Sequence, residues 1–357
     1  MTILALLGLV LASKPAEGVY ELMVCPACQG NARNSEASVV ELKEGRLLLA
    51  WSRYGARGDD HDWAQISGKI SEDRGRSWGP EFTIVPNDAG MNLMDVSLLR
   101  LQSGALGLFY LRKNSTSDCR LRMRKSYDEG RTWTQEVLCI PSRGYYCVNN
   151  DRVIQLRSGR LLAPASYTPD IATTYHLTSY CCYSDDEGQS WHEGAKIDLP
   201  KTGADEPGVV ELKDGRILMV IRCELGYVYK AYSSDGGQTW SEPEPTLLQS
   251  PSAPATIKRI PSTGDLLILW NNSPHDPERG IIGRRTPMST AISRDEGDTW
   301  EHVRNLDTDA AHQAAYVSVL FLGGEAVITY FIYDYPPGSG MISLKEKIVP
   351  IGWFYGQ

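Results

Sequence analysis

The stretch SYDEGRTW, residues 126–133, decides the fold because its Ser-x-Asp-x-Gly-x-Ser/Thr-Trp pattern occurs five times in the chain. Asp and Gly at this spacing are typical of a tight turn, in which the side chain bonds to the backbone and glycine tolerates an unusual backbone angle. The closing Trp offers a large ring for burial between neighbouring sheets. We therefore interpret the segment as a structural turn on the outer part of the fold, without a catalytic role. The other copies are SEDRGRSW (71–78), SDDEGQSW (184–191), SSDGGQTW (233–240) and SRDEGDTW (293–300).

A second repeated element alternates with these turns. It consists of two apolar runs joined by a short turn that contains glycine, as in GVVELKDGRILMVIR (208–222), and this pattern predicts a β-hairpin. Each unit then reads hairpin, strand, turn, strand, and four antiparallel strands at this period form one blade of a β-propeller. The sequence predicts an all-β fold, a six-bladed β-propeller of four-stranded antiparallel blades. The six hairpin glycines are Gly45, Gly104, Gly159, Gly215, Gly264 and Gly324.

The six units fill residues 19–357, which we expect to form one propeller domain. Residues 1–18 contain the apolar run ILALLGLVLA, which has the length of a signal-peptide core and favours a signal peptide or an N-terminal extension. A secreted or periplasmic protein is the favoured interpretation, and a cytoplasmic one remains open. No other run is long enough for a transmembrane helix. The net charge of −8 argues against a nucleic-acid partner, which needs a basic surface.

With five such turns the chain resembles the Asp-box (BNR-repeat) proteins, and its six predicted blades are similar to the sialidase superfamily. The resemblance covers residues 19–357. Binding propellers and lyases carry the same turns, so the turns alone do not imply activity. In a propeller, the residue that opens each inner strand faces the central channel. These positions hold Arg33 and Glu36, Asp95, Asn150 with Asp151, Glu206, Pro254 and Tyr316.

Three segments resemble those that carry the sialidase active site. EPGVVELKDGRILMVIR (206–222) opens with Glu206 and ends with Arg222, the residue types expected at both ends of that hairpin. AAYVSVLFLGGEAVITYF (314–331) places Tyr316 at the position of the family's nucleophile. RRTPMSTAISRDEGDTW (284–300) resembles the segment that presents the last arginine of a triad, which implies Arg285 or, one residue earlier, Arg284.

Two further segments concern the acid and the first arginine. SRYGARGDDHDW (52–63) follows the first hairpin, where the family carries an acid loop. The resemblance implies Asp59 as general acid, with Asp60 as the alternative and Arg53 bordering the loop. ARNSEAS (32–38) places Arg33 where the first triad arginine is expected, although the Ile and Pro of the family's Arg-Ile-Pro signature are absent.

The resemblance implies an exo-α-sialidase that releases terminal sialic or related nonulosonic acids. Arg33, Arg222 and Arg285 would hold the carboxylate on the anomeric carbon through charge-assisted bonds. A tyrosine nucleophile avoids repulsion by that carboxylate but needs a base such as Glu206. Asp59 would protonate the leaving oxygen and then deprotonate the incoming water. The expected reaction is a retaining hydrolysis without a metal or another cofactor.

Two other functions remain open. The missing Ile-Pro and the additional acids Glu36, Asp95 and Asp151 are compatible with a hydrolase or lyase for another acidic sugar, such as a uronate. A non-catalytic, glycan-binding propeller is the third interpretation. In each case the partner is a sialylated or other acidic glycan, and the oligomeric state is open.

Overall fold

The computed structural model describes residues 18–276, 284–334 and 340–357. The predicted all-β fold is confirmed: the elements in these ranges are strands and two short 3-10 helices, Lys43–Gly45 and Ile351–Tyr355. The run predicted to be a signal peptide or extension lies outside the described residues. In the described ranges, no helix has the length and apolar character needed to cross a membrane.

The strands form four sheets of four strands and one sheet of nine. The first sheet contains β2 (Asn34–Glu41), β3 (Leu47–Tyr54), β4 (Ala64–Ser71) and β5 (Phe82–Val85). The nine-stranded sheet contains β6 (Asn92–Arg100), β7 (Leu106–Ser115), β8 (Asp118–Ser126), β9 (Val137–Leu138), β10 (Tyr145–Cys147), β11 (Ile154–Gln155), β12 (Leu161–Thr168), β13 (Thr178–Ser184) and β14 (His192–Glu193). The next two sheets contain β15 (Asp205–Glu211), β16 (Ile217–Arg222), β17 (Tyr227–Ser233) and β18 (Glu244–Gln249), then β19 (Thr256–Arg259), β20 (Leu266–Asn271), β21 (Met288–Ser293) and β22 (Glu301–Asp307). The last sheet joins β23 (His312–Leu322), β24 (Glu325–Asp334) and β25 (Ile342–Pro350) to the N-terminal β1 (Tyr20–Cys25).

Six antiparallel hairpins lie where the glycine turns predict them: β2–β3, β6–β7, β11–β12, β15–β16, β19–β20 and β23–β24. The second and third repeats are not separate sheets, because β10 pairs with both of them. Its Tyr145 pairs in parallel with Cys119 of β8, and the whole strand pairs antiparallel with β12. The count of six separate blades therefore stays a prediction.

The core is divided among the interfaces between repeats. Leu48 of the first repeat and Leu106 of the second belong to one buried apolar cluster, and comparable clusters lie between each later pair of repeats. A further cluster joins Leu49 of the first repeat to Val327 of the last. Because β1 also pairs with β25, the start of the described chain helps to join the last repeat to the first.

The repeated turn is held by bonds between its own side chains and backbone. In SYDEGRTW, the Asp128 carboxylate accepts from the Thr132 amide at 2.8 Å and from its hydroxyl at 2.6 Å. The Ser126 hydroxyl accepts from the Gly130 amide at 2.8 Å. Trp133 packs against the cluster between the first two repeats. These contacts favour the structural interpretation of the turn, whose acidic group is engaged locally.

Replacing Asp295 by alanine should lower the free energy of unfolding by about 1–2 kcal/mol, because three hydrogen bonds of a turn are lost. This carboxylate accepts from the Thr299 amide and hydroxyl and from the Ser293 hydroxyl. Urea denaturation measures the change. The matched control is Asp298→Ala in the same turn. The Asp298 side chain is 73% exposed and lies 3.9 Å from Lys230. Equal losses in the two variants would contradict the assigned role of Asp295.

Glu346 of β25 is a buried carboxyl group whose ionisation should weaken the fold. Its side chain is fully buried, its Oε2 has no hydrogen-bond partner in the described part of the chain, and Trp78 donates to Oε1 at a long 3.4 Å. Burial raises its pKa from 4.5 to about 8. The contribution of the neutral Glu346 carboxyl group to the free energy of unfolding is therefore fully present below pH 4.5 and is lost as the pH rises towards 8.

Replacing Glu346 by glutamine should raise the melting temperature by a few degrees at pH 8 and much less at pH 4.5. The amide stays neutral where the carboxyl group ionises, and Thr329, directly opposite on β24, has a buried hydroxyl without a partner in the described chain. Thermal unfolding of both proteins at the two pH values measures the difference. A shift of the same size at both pH values would contradict the proposed ionisation.

Candidate active site

One pocket of about 350 Å³ collects most of the charged residues that the sequence singles out. The hairpins of the first, second, fourth and last repeats, with the residues next to them, contribute most of the polar side chains. Asp60 comes from the loop after β3 and Arg285 from the segment before β21, and the segment from β10 to β13 contributes an aromatic and apolar wall. The ionisable groups are Arg33, Glu36, Asp60, Asp95, Asp205, Glu206, Arg222, Arg285 and Tyr316, and the wall includes Tyr145, Tyr146, Cys147, Ile171, Tyr175 and Leu177.

Backbone irregularities place several of these side chains. Glu36, Asp95, Glu206 and Tyr316 have positive φ angles of 46°, 58°, 41° and 59°. Each lies at a register shift between the two strands of its hairpin. Such bulges re-aim side chains, and a positive φ is costly for a residue other than glycine. Four costly conformations around one pocket indicate a functional site.

Tyr316 and Glu206 form the central pair of the pocket. The Tyr316 hydroxyl donates to Glu206 Oε1 at 2.7 Å, and its ring stacks on Phe331 with 5.0 Å between ring centres. Burial and the Glu206 charge raise the pKa of Tyr316. Burial would raise the pKa of Glu206, but Arg222, Tyr316 and Arg285 outweigh it, and that pKa is lowered. A neutral phenol thus faces an ionised carboxylate, the arrangement required for the carboxylate to act as base.

Two arginines of the pocket, Arg222 and Arg285, both donate hydrogen bonds to Ser252. Arg222 Nε donates to its hydroxyl at 3.1 Å, and Arg285 Nη2 donates to its carbonyl at 3.2 Å. Arg222 also pairs with Glu206. Arg285 is buried, its Nε has no hydrogen-bond partner, and no carboxylate of the described chain lies within 4 Å of its guanidinium. Arg285 is therefore the cation of the pocket that is most open to an anionic ligand.

The third arginine is fully engaged. Arg33 donates to the Ser35 hydroxyl at 2.7 Å and to Asp60 Oδ1 at 2.5 Å, and it also pairs with Glu36. Its guanidinium lies 4.4 Å from the ring centre of Tyr54. The Arg33 charge lowers the pKa of Asp60. The Asp60 side chain is 63% exposed, which places it at the mouth of the pocket.

Asp59, the first-choice acid of the sequence analysis, does not line the pocket. It accepts from the His61 amide at 2.9 Å, pairs with Arg57 at 3.2 Å, and is 52% exposed. Adjacent residues of an irregular loop point in different directions, and here the alternative, Asp60, faces the pocket.

Two predicted binding residues lie elsewhere. Arg53 of β3 pairs with Glu81 at 3.0 Å, outside the pocket. Asp151 accepts from the Val319 amide at 2.9 Å and lies 3.1 Å from Lys258. Val319 is three residues further along the inner strand than Tyr316, and Asp151 lines a different cavity with Lys258. Arg284, the alternative to Arg285, is also absent from the pocket wall.

Asp205 is a pocket residue that the sequence analysis missed. It accepts from the Ser166 hydroxyl at 2.7 Å and lies 3.7 Å from Arg222. Burial and the neighbouring Glu206 raise its pKa to about 6. The register shift at the start of β15 lets two consecutive carboxylates face one cavity, which a strictly alternating strand would not allow.

The residues present offer no grouped metal ligands. Among the described ranges, no three His, Cys, Asp or Glu side chains are arranged to hold a metal ion.

Comparisons with known proteins agree with this architecture. The BNR repeat-like domain family matches residues 45–328. The sialidase of Micromonospora viridifaciens is 29% identical over 198 residues, which are 49% of this chain and 28% of that protein. The chain spans less than two thirds of the length of this sialidase and of the sialidases of Clostridium perfringens and Paraclostridium sordellii.

Two solved structures show the same fold over almost the whole chain. A Dyadobacter fermentans protein of unknown function superposes with a TM-score of 0.74 at 20% identity, covering 94% of this chain and 100% of that one. Trypanosoma rangeli sialidase in complex with the inhibitor DANA superposes with a TM-score of 0.72 at 15% identity, covering 94% of this chain and 60% of that one.

Proposed function

The chain belongs to the BNR repeat-like domain family of the sialidase superfamily, and from this we propose that it is a retaining, exo-α-sialidase-like glycoside hydrolase. Its substrates are glycoconjugates that end in sialic or related nonulosonic acids, bound in the channel of a six-bladed propeller. The observation that carries the proposal is the 2.7 Å hydrogen bond from Tyr316 to Glu206, next to Arg222 and Arg285. A tyrosine paired with a base, beside cations, suits a sugar whose reacting carbon bears a carboxylate.

Substrate binding depends on the arginines. Arg285, with no carboxylate partner in the described chain, takes the substrate carboxylate first, and Arg222 lies beside it on Ser252. Arg33, from the first repeat, completes the set. Asp95 is buried and its Oδ1 has no hydrogen-bond partner among the described residues, so it offers a polar contact to the sugar ring.

The reaction proceeds in two displacements. Glu206 removes the phenol proton as Tyr316 oxygen attacks the anomeric carbon, and the bond to the leaving oxygen breaks while Asp60 gives that oxygen its proton. Water then attacks the same carbon. Asp60 takes a proton from the water, the bond to Tyr316 breaks, and Glu206 returns the proton to the phenol. Two inversions give net retention.

A second candidate function is supported by the number of carboxyl groups in the pocket. Five carboxyl groups, those of Glu36, Asp60, Asp95, Asp205 and Glu206, face three arginines. This excess of acids is compatible with a hydrolase or lyase for another acidic sugar, such as a uronate, in which an arginine would bind the carboxylate at a different ring position. A purely glycan-binding propeller is less well supported, because it would not need the paired Tyr316 and Glu206.

Hydrolysis of a fluorogenic α-sialoside, with a matched uronide as the competing substrate, tests the proposal. Release of the sialic acid, with the α-anomer appearing first in the proton NMR spectrum, is the expected result. Turnover of the uronide alone, or ultraviolet absorbance of an unsaturated uronate, would favour the second candidate. No turnover of either would contradict both enzymatic functions.

A further inference from the structure

The Asp60 carboxylate is held by a residue that also faces the ligand. Arg33 Nη1 lies 2.5 Å from Asp60 Oδ1, and both side chains line the pocket. The two differ in exposure, with 9% for the Arg33 side chain and 63% for that of Asp60. Arg33 is therefore a fixed part of the wall, whereas the Asp60 carboxylate reaches it from the solvent side and can be exchanged for another anion.

The backbone of Asp60 is fixed independently of this ion pair. Its carbonyl accepts from Lys113 Nζ at 2.7 Å and from Asn92 Nδ2 at 3.0 Å. Lys113 is fully buried, and no carboxylate of the described chain lies within 4 Å of its ammonium group, so it is committed to this carbonyl and to the Tyr145 hydroxyl. Asp62 closes the loop by accepting from the amides of Arg57 and Gly58. Loss of the ion pair would thus turn the side chain of Asp60 and leave its backbone in place.

The ion pair holds Asp60 in the state opposite to the one the reaction needs. A general acid must carry a proton when the glycosidic bond breaks, but a carboxylate paired with a guanidinium is stabilised in its ionised form. An entering ligand carboxylate competes for the same Arg33 donors. Once displaced, Asp60 would lose its cation and gain a nearby negative charge, and both changes favour the protonated form.

We propose that the substrate's carboxylate displaces Asp60 from Arg33, so that recognition of the acidic sugar itself leads Asp60 to take up the proton that it later gives to the leaving group. Arg33 then links binding to acid catalysis. This inference rests on the proposed function, because it requires a ligand that carries a carboxylate.

The ion pair with Arg33 is the main influence on the protonation of Asp60. Arg33 is the largest influence that lowers the pKa of Asp60, so losing it removes the main stabilisation of the ionised form. The other ionisable groups that face Asp60 are His61 of its own loop, Glu36 of β2, Tyr54 of β3, Asp95 of β6, Lys113 of β7 and Tyr145 of β10.

Isothermal titration calorimetry with DANA, the inhibitor bound by Trypanosoma rangeli sialidase, tests the proposal in the full chain. Titrations near pH 6 in buffers of different ionisation enthalpy give the number of protons taken up on binding. The wild type should take up about 0.5–1 proton for each ligand bound. Asp60→Asn should bind DANA with an uptake at least about 0.5 proton smaller than that of the wild type. The two proteins are compared with each other because Asp205, whose pKa burial and Glu206 raise to about 6, can take up protons in both. The matched control is Asp59→Asn, an acid of the same loop outside the pocket, which should keep the wild-type uptake.

The outcomes separate this inference from the function on which it rests. Binding by the wild type without proton uptake, or equal uptake by the wild type and Asp60→Asn, would overturn the proposed exchange and leave the proposed function standing. Failure of the folded wild type to bind DANA at all would overturn both.

Discussion

Replacing Tyr316 by phenylalanine should lower kcat for an α-sialoside by about 10³-fold or more, while DANA still binds within a few-fold of the wild-type affinity. The phenol oxygen is the attacking atom, and nothing else at that position can form the bond to the anomeric carbon. The ring, stacked on Phe331, would keep the shape of the pocket floor. Steady-state kinetics and calorimetry measure the two quantities.

Tyr330 provides a matched control for this substitution. Its hydroxyl also donates to a carboxylate, Asp307, at 2.7 Å, and it is fully buried on β24 but lies outside the pocket. Tyr330→Phe therefore removes the same kind of hydrogen bond, and we expect it to reduce stability without reducing kcat. Equal kcat values for Tyr316→Phe and wild type would contradict the assignment of Tyr316 as nucleophile.

Replacing Arg285 by glutamine should raise the DANA dissociation constant and KM about ten- to a hundred-fold, the value of one or two charge-assisted hydrogen bonds. The melting temperature should stay the same or rise, because the variant removes a buried cation that has no carboxylate partner in the described chain. Arg222 is a less informative target. Its removal would leave the buried Glu206 without its ion pair and should destabilise the fold, so that a loss of affinity could not be separated from a loss of folded protein.

The charge-matched control for Arg285 is Arg53→Gln. Arg53 also contributes one positive charge near the acid loop, but it pairs with Glu81 outside the pocket. Its substitution should change affinity less than about two-fold. Similar losses of affinity in the two variants would mean that the pocket responds to overall charge, and that Arg285 is not the principal contact of the carboxylate.

The regular part of the site was predictable from sequence. The repeated turns set the register of the hairpins, and the register placed Glu206 and Tyr316 where inner strands open and Arg222 where its hairpin ends. All three line one pocket, together with Arg33, Arg285 and Asp95. Their roles remain predictions, because the geometry brings the groups together without showing which bonds they make to a substrate.

The irregular part was not predictable. Asp59 and Asp60 are adjacent in a loop without a repeating sequence pattern. Which of the two faces the pocket as the candidate general acid depends on the backbone conformation of the loop, which only the structure supplies. Asp205 was missed because a bulge turns two neighbouring carboxylates to one side. Asp151 has a positive φ of 58°, as Asp95 does, yet its carboxylate accepts from the Val319 amide, three residues further along β23 than Tyr316. Side-chain direction at a bulge is a three-dimensional property that the hydrophobic pattern does not encode.

Mass spectrometry after incubation with a 3-fluorosialosyl fluoride tests the nucleophile most directly. Fluoride leaves readily, and the fluorine beside the anomeric carbon slows the second displacement, so that a covalent sugar–enzyme intermediate accumulates. If the proposed function is correct, one 3-fluorosialosyl group is found on the tryptic peptide 305–345, and fragmentation places it on Tyr316. A label on Glu206 or Asp60, or turnover of the α-sialoside with no label, would contradict a mechanism through Tyr316.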